Sequence, residues 1–238
     1  MNPRAKTKSS PPGDANARPE FDRLGVYALR YVKPGQTLGL GTGHAASAFI
    51  RALGKSGIKV RGVPTSNASE KLARSFGIEI TTLGEAGRLD IDFDGADEVD
   101  PHLNLIKGYG GALVREKIVA AASRRFIVLV GAEKLVRKLG DRRSLPVEVV
   151  PFGVPLALKR IAALGLDPRV RYSNGRPFVS DNGNAILDCG LPRAIRPARL
   201  ERELHVIPGV VGSGIFAGMA TVALVAEESG KIRTLRRR

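Results

Sequence analysis

The chain has 238 residues, 43% of them apolar, and a formal net charge of +15. That length can bury the core of one large or two small domains, and no run of about 18 apolar residues is present, which argues against a membrane span. Cys189 is the single cysteine, so it cannot form an internal disulfide, and no Cys/His cluster has zinc-ligand spacing; a cytoplasmic protein is expected.

Residues 1–20 are polar and rich in Pro, Lys and Arg, without the apolar segment of a signal peptide, and read as a disordered basic tail. The positive charge admits a nucleic-acid reading. Lys and Arg are scattered, however, and only Arg236 to Arg238 form a block, so attraction for a small anionic substrate explains the charge as well. No nucleic-acid or membrane partner is expected.

In chain order, Leu24, Ala28, Leu29 and Val32 recur at helical spacing until Pro34-Gly35 stops them. Thr37 to Leu40 reads as a strand feeding a glycine loop and a helix. Ile58 to Val63 is the next strand, Asn67 to Phe76 a helix, and Ile78 to Leu83 and Leu89 to Asp94 two further strands. Phe126 to Val130 is a continuous apolar run, as in strands buried on both faces. Strands alternating with helices predict a doubly wound, Rossmann-like parallel sheet.

From Leu145 the rhythm changes to β-α-β-β-α-β. Its elements are a strand at Val147 to Val150, a helix at Leu156 to Leu164, a hairpin signal at Asn174-Gly175, a helix at Ala198 to Leu204 and a strand at Val210 to Phe216. That order is the split βαβ of ferredoxin-like units. The expected organisation is therefore α/β: a Rossmann-like catalytic domain (21–145 plus 217–230), a smaller ferredoxin-like α+β domain (146–216) and a basic tail (231–238).

The chemistry concentrates between Asp94 and Lys117, D-G-A-D-E-V-D-P-H-L-N-L-I-K-G-Y-G-G-A-L-V-R-E-K. Asp94 and Asp97 lie at the carboxyl end of a strand, where open α/β sheets bind ligands. Asp92, Asp94, Asp97, Glu98 and Asp100 crowd negative charge, which raises carboxyl pKa values unless cations lie near. The pair fits a proton-transfer set or a hard-cation site; Lys107, in the same stretch, favours the first. Glu116 falls in the first turn of the next helix, although Arg115-Glu116-Lys117 taken alone is an ordinary solvated face. Gly39, Gly41 and Gly43 form a strand-to-helix loop suited to an anion. No acidic residue follows about 20 positions on to hold a ribose, so phosphate is favoured over a dinucleotide.

These motifs resemble the type A ribose-5-phosphate isomerases from about Tyr31 to about Val225. The resemblance rests on G-L-G-T-G (39–43), D-G-A-D-E (94–98), K-G-x-G-G-A-L-x-R-E-K-I (107–118), E-K-L-V-x-x-L-G (133–140), L-P-V-E-V-V-P-F (145–152), D-N-G-N-x-I-L-D (181–188) and I-P-G-V-V (207–211). It implies an aldose–ketose isomerase that interconverts ribose 5-phosphate and ribulose 5-phosphate without metal or cofactor, as a homodimer or homotetramer. Carried over by position, Glu116 moves the proton, Asp94 and Asp97 assist ring opening and proton traffic, and Lys107 stabilises the enediolate. Substrate-binding loops are implied at Thr42, Gly43, His44 and Ala45, at Gly95 and Ala96, and at Gly108, Tyr109 and Gly110, with Lys134 beside them. His44-Ala45 stand where the family usually has Ser-Thr. That departure keeps open an isomerase of another sugar phosphate, and the +15 charge a sugar-phosphate-binding regulator on the same fold.

Overall fold

The computed structural model describes residues 18–192 and 195–237. Of the two expected tails, residues 1–17 and Arg238 lie outside the described residues. Pro19 and Glu20, expected in the first tail, instead open helix α1 (Pro19–Ala28), with proline in its first turn and Glu20 and Asp22 at the positive end of its dipole. Phe21, Leu24 and Ala28 form its buried stripe.

Strands and helices then alternate through β1 (Thr37–Leu40), α2 (His44–Ser56), β2 (Arg61–Pro64), α3 (Asn67–Ser75), β3 (Glu79–Ile80), α4 (Leu83–Ala86) and β4 (Leu89–Asp94). The expected strand at Ile78 to Leu83 is cut short because Thr82 and Glu85 form a capping box that starts α4. A hairpin, β5 (Glu98–Val99) and β6 (Leu105–Ile106), precedes α5 (Leu113–Ala122) and β7 (Ser123–Gly131). The second half contains β8 (Leu145–Val149), α6 (Val154–Ala163), β9 (Asp167–Val170), β10 (Tyr172–Ser173), β11 (Arg176–Pro177) and β12 (Ala185–Gly190). It closes with α7 (Pro197–His205), β13 (Val210–Ser213), β14 (Ile215–Phe216), β15 (Val222–Ala226) and β16 (Ile232–Arg236).

The main sheet has the order β16-β15-β7-β4-β1-β2-β3, parallel except for β16. From β1 the chain winds outward to β3, then returns to place β4 on the other side of β1. Ligands of such sheets bind where the strand order reverses, at the carboxyl ends. The central strands are covered on both faces. Ile127 and Leu129 of β7 pack with Leu38, Leu40 and Phe93 under α1 and α2, whereas Phe126, Val128 and Val130 face Leu105 and Phe216.

The second sheet is antiparallel with order β13-β8-β12-β9, the ferredoxin-like arrangement, and α6 and α7 close its core through Ile161, Leu200 and Leu204. Cys189 is buried there, and burial above all pushes its thiol up to about 12. Asn174 and Gly175, with φ of 51° and 74°, make the two-residue turn between β10 and β11 that their sequence predicts.

Two boundaries differ from expectation. Ile215 and Phe216 pair with β6 in a three-stranded sheet, because Phe216 belongs to the first core. Residues 232–236, expected as tail, form the antiparallel edge of the main sheet, with Ile232 and Leu235 packed on its two faces and Arg233 and Arg236 on the edge strand.

Candidate active site

Successive side chains of a strand alternate faces, so Asp92 and Asp94 leave β4 on the same side, over β1. Gly39 pairs with Asp92 in register. A Cβ on Gly39 would overlap Asp92 Oδ1, and one on Gly41 would lie 2.5 Å from Asp94 Cα. These two glycines make room for two carboxyl groups. Gly43, in the expected anion loop, caps α2 at φ 102°, where the first-turn N–H groups of the helix have no intrahelical partner.

Lys107 reaches the same point from the end of β6, with Gly108 at φ 99° turning the chain immediately after it. Its Nζ stands 3.0 Å from Asp94 Oδ2 and 3.3 Å from Glu116 Oε1, and donates to the Gly95 carbonyl at 2.6 Å. Asp94 Oδ1 accepts from the Thr42 N–H at 2.9 Å and the Gly95 N–H at 2.7 Å. Lys107, Asp94 and Glu116 are all nearly inaccessible, and Glu116 Oε2 and both oxygens of Asp92 have no hydrogen-bond partner among the described residues.

Burial first, then the Asp94 charge, raises Glu116 to about 8 against the pull of Lys107. Burial also holds Asp92 well above the usual carboxylate range, with Asp94 adding to it, and raises Asp94 against the effect of Lys107. For Lys107, burial works against the ammonium, yet Asp94 and Glu116 outweigh it and lift its pKa above the ordinary lysine value. The cluster therefore contains one firmly protonated lysine beside a carboxyl group that exchanges its proton near neutral pH.

A cavity of about 390 Å³ opens over this cluster at the carboxyl ends of the strands. Its lining includes Thr42, Gly43, His44 and Ala45, then Gly95, Ala96 and Asp97, then Lys107, Gly108, Tyr109 and Gly110, with Glu116 and Lys134. Of the catalytic and substrate-binding residues implied by the family resemblance, only Asp94 is absent from the lining, because it stands behind Lys107 and Gly41. Asp97 faces the cavity and its Oδ2 accepts the Tyr109 N–H at 2.9 Å. The Thr42 hydroxyl is taken by Thr65 and Ser66, each at 2.8 Å. Another cavity, about 410 Å³, lies at the amino ends of β1, β2 and β3 and gathers no comparable cluster of carboxylates.

The five crowded acids separate in space. Glu98 is fully buried and accepts the backbone N–H groups of Gly140, Arg142 and Arg143 at 2.6, 2.7 and 2.8 Å. Asp100 holds the β5–β6 turn through the N–H groups of His102 and Asn104, each at 2.8 Å. Arg18, Phe21 and Arg143 also line the cavity. Sequence reasoning missed Arg18 and Arg143, since they come from segments remote from the motifs that mark the floor; the L-G spacing before Arg143 signals a turn and nothing about where its side chain goes. Among the described residues no group of three His, Cys, Asp or Glu side chains is arranged to hold a metal ion.

A sequence profile of the family described as ribose 5-phosphate isomerase A (phosphoriboisomerase A) matches residues 61–230. The ribose-5-phosphate isomerase A of Roseiflexus castenholzii is 50% identical over 214 residues, covering 87% of this chain and 92% of the relative. Among solved structures, ribose 5-phosphate isomerase A from Methanocaldococcus jannaschii superposes with a TM-score of 0.87 at 38% identity, covering 92% of this chain and 98% of the other. A D-ribose-5-phosphate isomerase in complex with phospho-erythronic acid gives 0.88 at 37% identity, covering 92% and 99%.

Proposed function

The chain belongs to the ribose 5-phosphate isomerase A family, and from that we propose that it interconverts D-ribose 5-phosphate and D-ribulose 5-phosphate through an enediolate, as in the non-oxidative pentose phosphate pathway. The observation that carries this reading is the buried Lys107, within 3.3 Å of Glu116, at the floor of the cavity. Isomerisation moves a carbon-bound proton from C2 of the aldose to C1 while the hydroxyl proton passes from O2 to O1, and negative charge develops on the former carbonyl oxygen of the enediolate. It needs one group that both takes and returns a proton, and one fixed cation.

Glu116 is assigned the first role. Raised to about 8, it is basic enough to accept a carbon-bound proton and acidic enough to return it. Lys107 is assigned the second. Its ammonium is positioned before reaction, so stabilising the enediolate oxygen requires no reorganisation. Asp94 orients Lys107 from behind. Asp97, which faces the cavity, is the carboxylate assigned to the sugar hydroxyls and ring opening. The open N-terminus of α2 at Gly43, His44 and Ala45, with Lys134, suits the phosphate.

No helix among the described residues is long and apolar enough to cross a membrane. The cytoplasmic location and the homodimeric or homotetrameric assembly implied by the family resemblance are part of this reading. Its test is conversion of ribose 5-phosphate to ribulose 5-phosphate by the purified protein with a chelator present. Turnover with the chelator supports it; a folded protein inactive on ribose 5-phosphate and active on another sugar phosphate replaces it with the alternative prompted by His44-Ala45.

A further inference from the structure

Resting on that reading, we propose that Arg143 is a specificity-determining residue that binds the substrate's phosphate, acting with Arg18 and Lys134, which line the same cavity. A sugar phosphate brings a dianion into a site whose floor is acidic. Lys107 cannot neutralise it, since its ammonium is already shared between Asp94 and Glu116 in full burial. The cation for the phosphate must come from the walls. Of the two arginines there, Arg18 is 3.3 Å from Glu133, and its charge is partly spent on that exposed pair. Arg143 makes no ion pair among the described residues, and its guanidinium lies 4.8 Å from the centre of the Tyr109 ring, in the cavity wall.

This arginine is also held in place. The three N–H bonds to the buried Glu98 carboxylate fix the Gly140–Arg143 loop over the site, from inside the same D-G-A-D-E segment that supplies Asp94 and Asp97. Tyr109 is braced in turn, because its N–H is bound to Asp97 and its carbonyl accepts from Arg171 at 2.8 Å. The Arg171 guanidinium lies 5.7 Å from the centre of the same ring and is paired with Asp188. A guanidinium stacked on an aromatic ring keeps its in-plane N–H groups free, which is the geometry a phosphate accepts bidentately. The loop therefore delivers an oriented cation where the floor of the cavity has none to give.

The test compares the wild type with Arg143→Gln and Arg143→Lys, using phospho-erythronic acid and erythronic acid as calorimetric probes and ribose 5-phosphate as substrate. Arg143 is exposed, so both variants should fold. Arg143→Gln is expected to weaken phospho-erythronic acid binding roughly ten- to a hundredfold and to leave erythronic acid binding unchanged. KM for ribose 5-phosphate should rise by a similar factor with a much smaller change in kcat, and Arg143→Lys should recover part of the loss. Equal losses for the two probes, or no loss for either, would overturn the assignment. A wild type that binds phospho-erythronic acid through Arg143 without isomerising ribose 5-phosphate would instead overturn the reading of the reaction and leave this residue's role standing.

Discussion

Gly41 lies so close to Asp94 that a Cβ on the glycine would come 2.5 Å from the aspartate Cα and overlap its carboxyl oxygen. Asp94 in turn orients Lys107 from 3.0 Å, so the absence of one side chain on β1's exit loop sets the position of the ammonium on the cavity floor. Gly41→Ala should force β4 and its carboxyl away. We expect a stability loss of about 1–3 kcal/mol from overpacking, read in denaturant unfolding, and a fall in kcat out of proportion to any change in KM. Wild-type kcat in this variant would mean that the position of Asp94 does not matter to Lys107.

Glu116→Gln preserves shape and removes the proton acceptor. Turnover of ribose 5-phosphate should fall by about 10²–10⁴-fold, while phospho-erythronic acid binding stays within a few-fold of the wild type. In the wild type, kcat/KM should rise with pH as Glu116 ionises, with its ascending limb near the value of about 8. Turnover in the Gln variant close to that of the wild type would remove Glu116 from the proton-transfer role.

The same raised carboxyl carries a stability cost with a defined sign. Glu116 moves from an ordinary 4.5 in the unfolded chain to about 8 when folded, so the folded state holds the extra proton between those values. Stability must fall as pH rises through that interval. Relative to Glu116→Gln, the wild type should therefore lose stability from about pH 4.5 to about pH 8 and then run parallel to the variant, as chemical denaturation across pH 4 to 9 would record. A pH-independent difference would contradict the burial of an ionisable Glu116.

Glu148 of β8 is fully buried and its Oε1 accepts from Ser180 Oγ at 2.8 Å, Asn182 Nδ2 at 3.0 Å and Asn184 Nδ2 at 2.9 Å. The loop it gathers is gripped from the other side by Arg115, which donates to Asn182 Oδ1 and the Asp181 carbonyl, each at 2.8 Å. Glu148→Ala should cost about 2–4 kcal/mol, because it strands the buried Ser180 hydroxyl, frees the Asn182 and Asn184 amides and opens a void. Amide exchange should speed up across residues 180–184, and a loss below 1 kcal/mol would mean the network contributes little.

Local periodicity was enough for the sequence to determine the central strands of the main sheet: Leu89, Ile91 and Phe93 alternate as one strand, and Phe126 to Val130 run apolar because both faces of β7 are covered. The glycine loops, the N-G hairpin and the order of the second unit are legible for the same reason, since each depends on neighbours in the chain. The short range of Asp94, Asp97, Lys107 and Glu116 along the chain likewise marked the floor of the site. What the tertiary structure alone decided is how the acids divide, with Glu98 and Asp100 turned away to hold a loop and a turn while Asp92 and Asp94 remain under the cavity. It also decided that Arg18 and Arg143 reach the cavity, that Gly39 and Gly41 make space for carboxyl groups, and that residues 232–236 are a strand. The physical reason is common to all of these. Charge interaction, steric room and edge pairing depend on distance through space, and segments far apart in the chain acquire that distance only when the sheet closes.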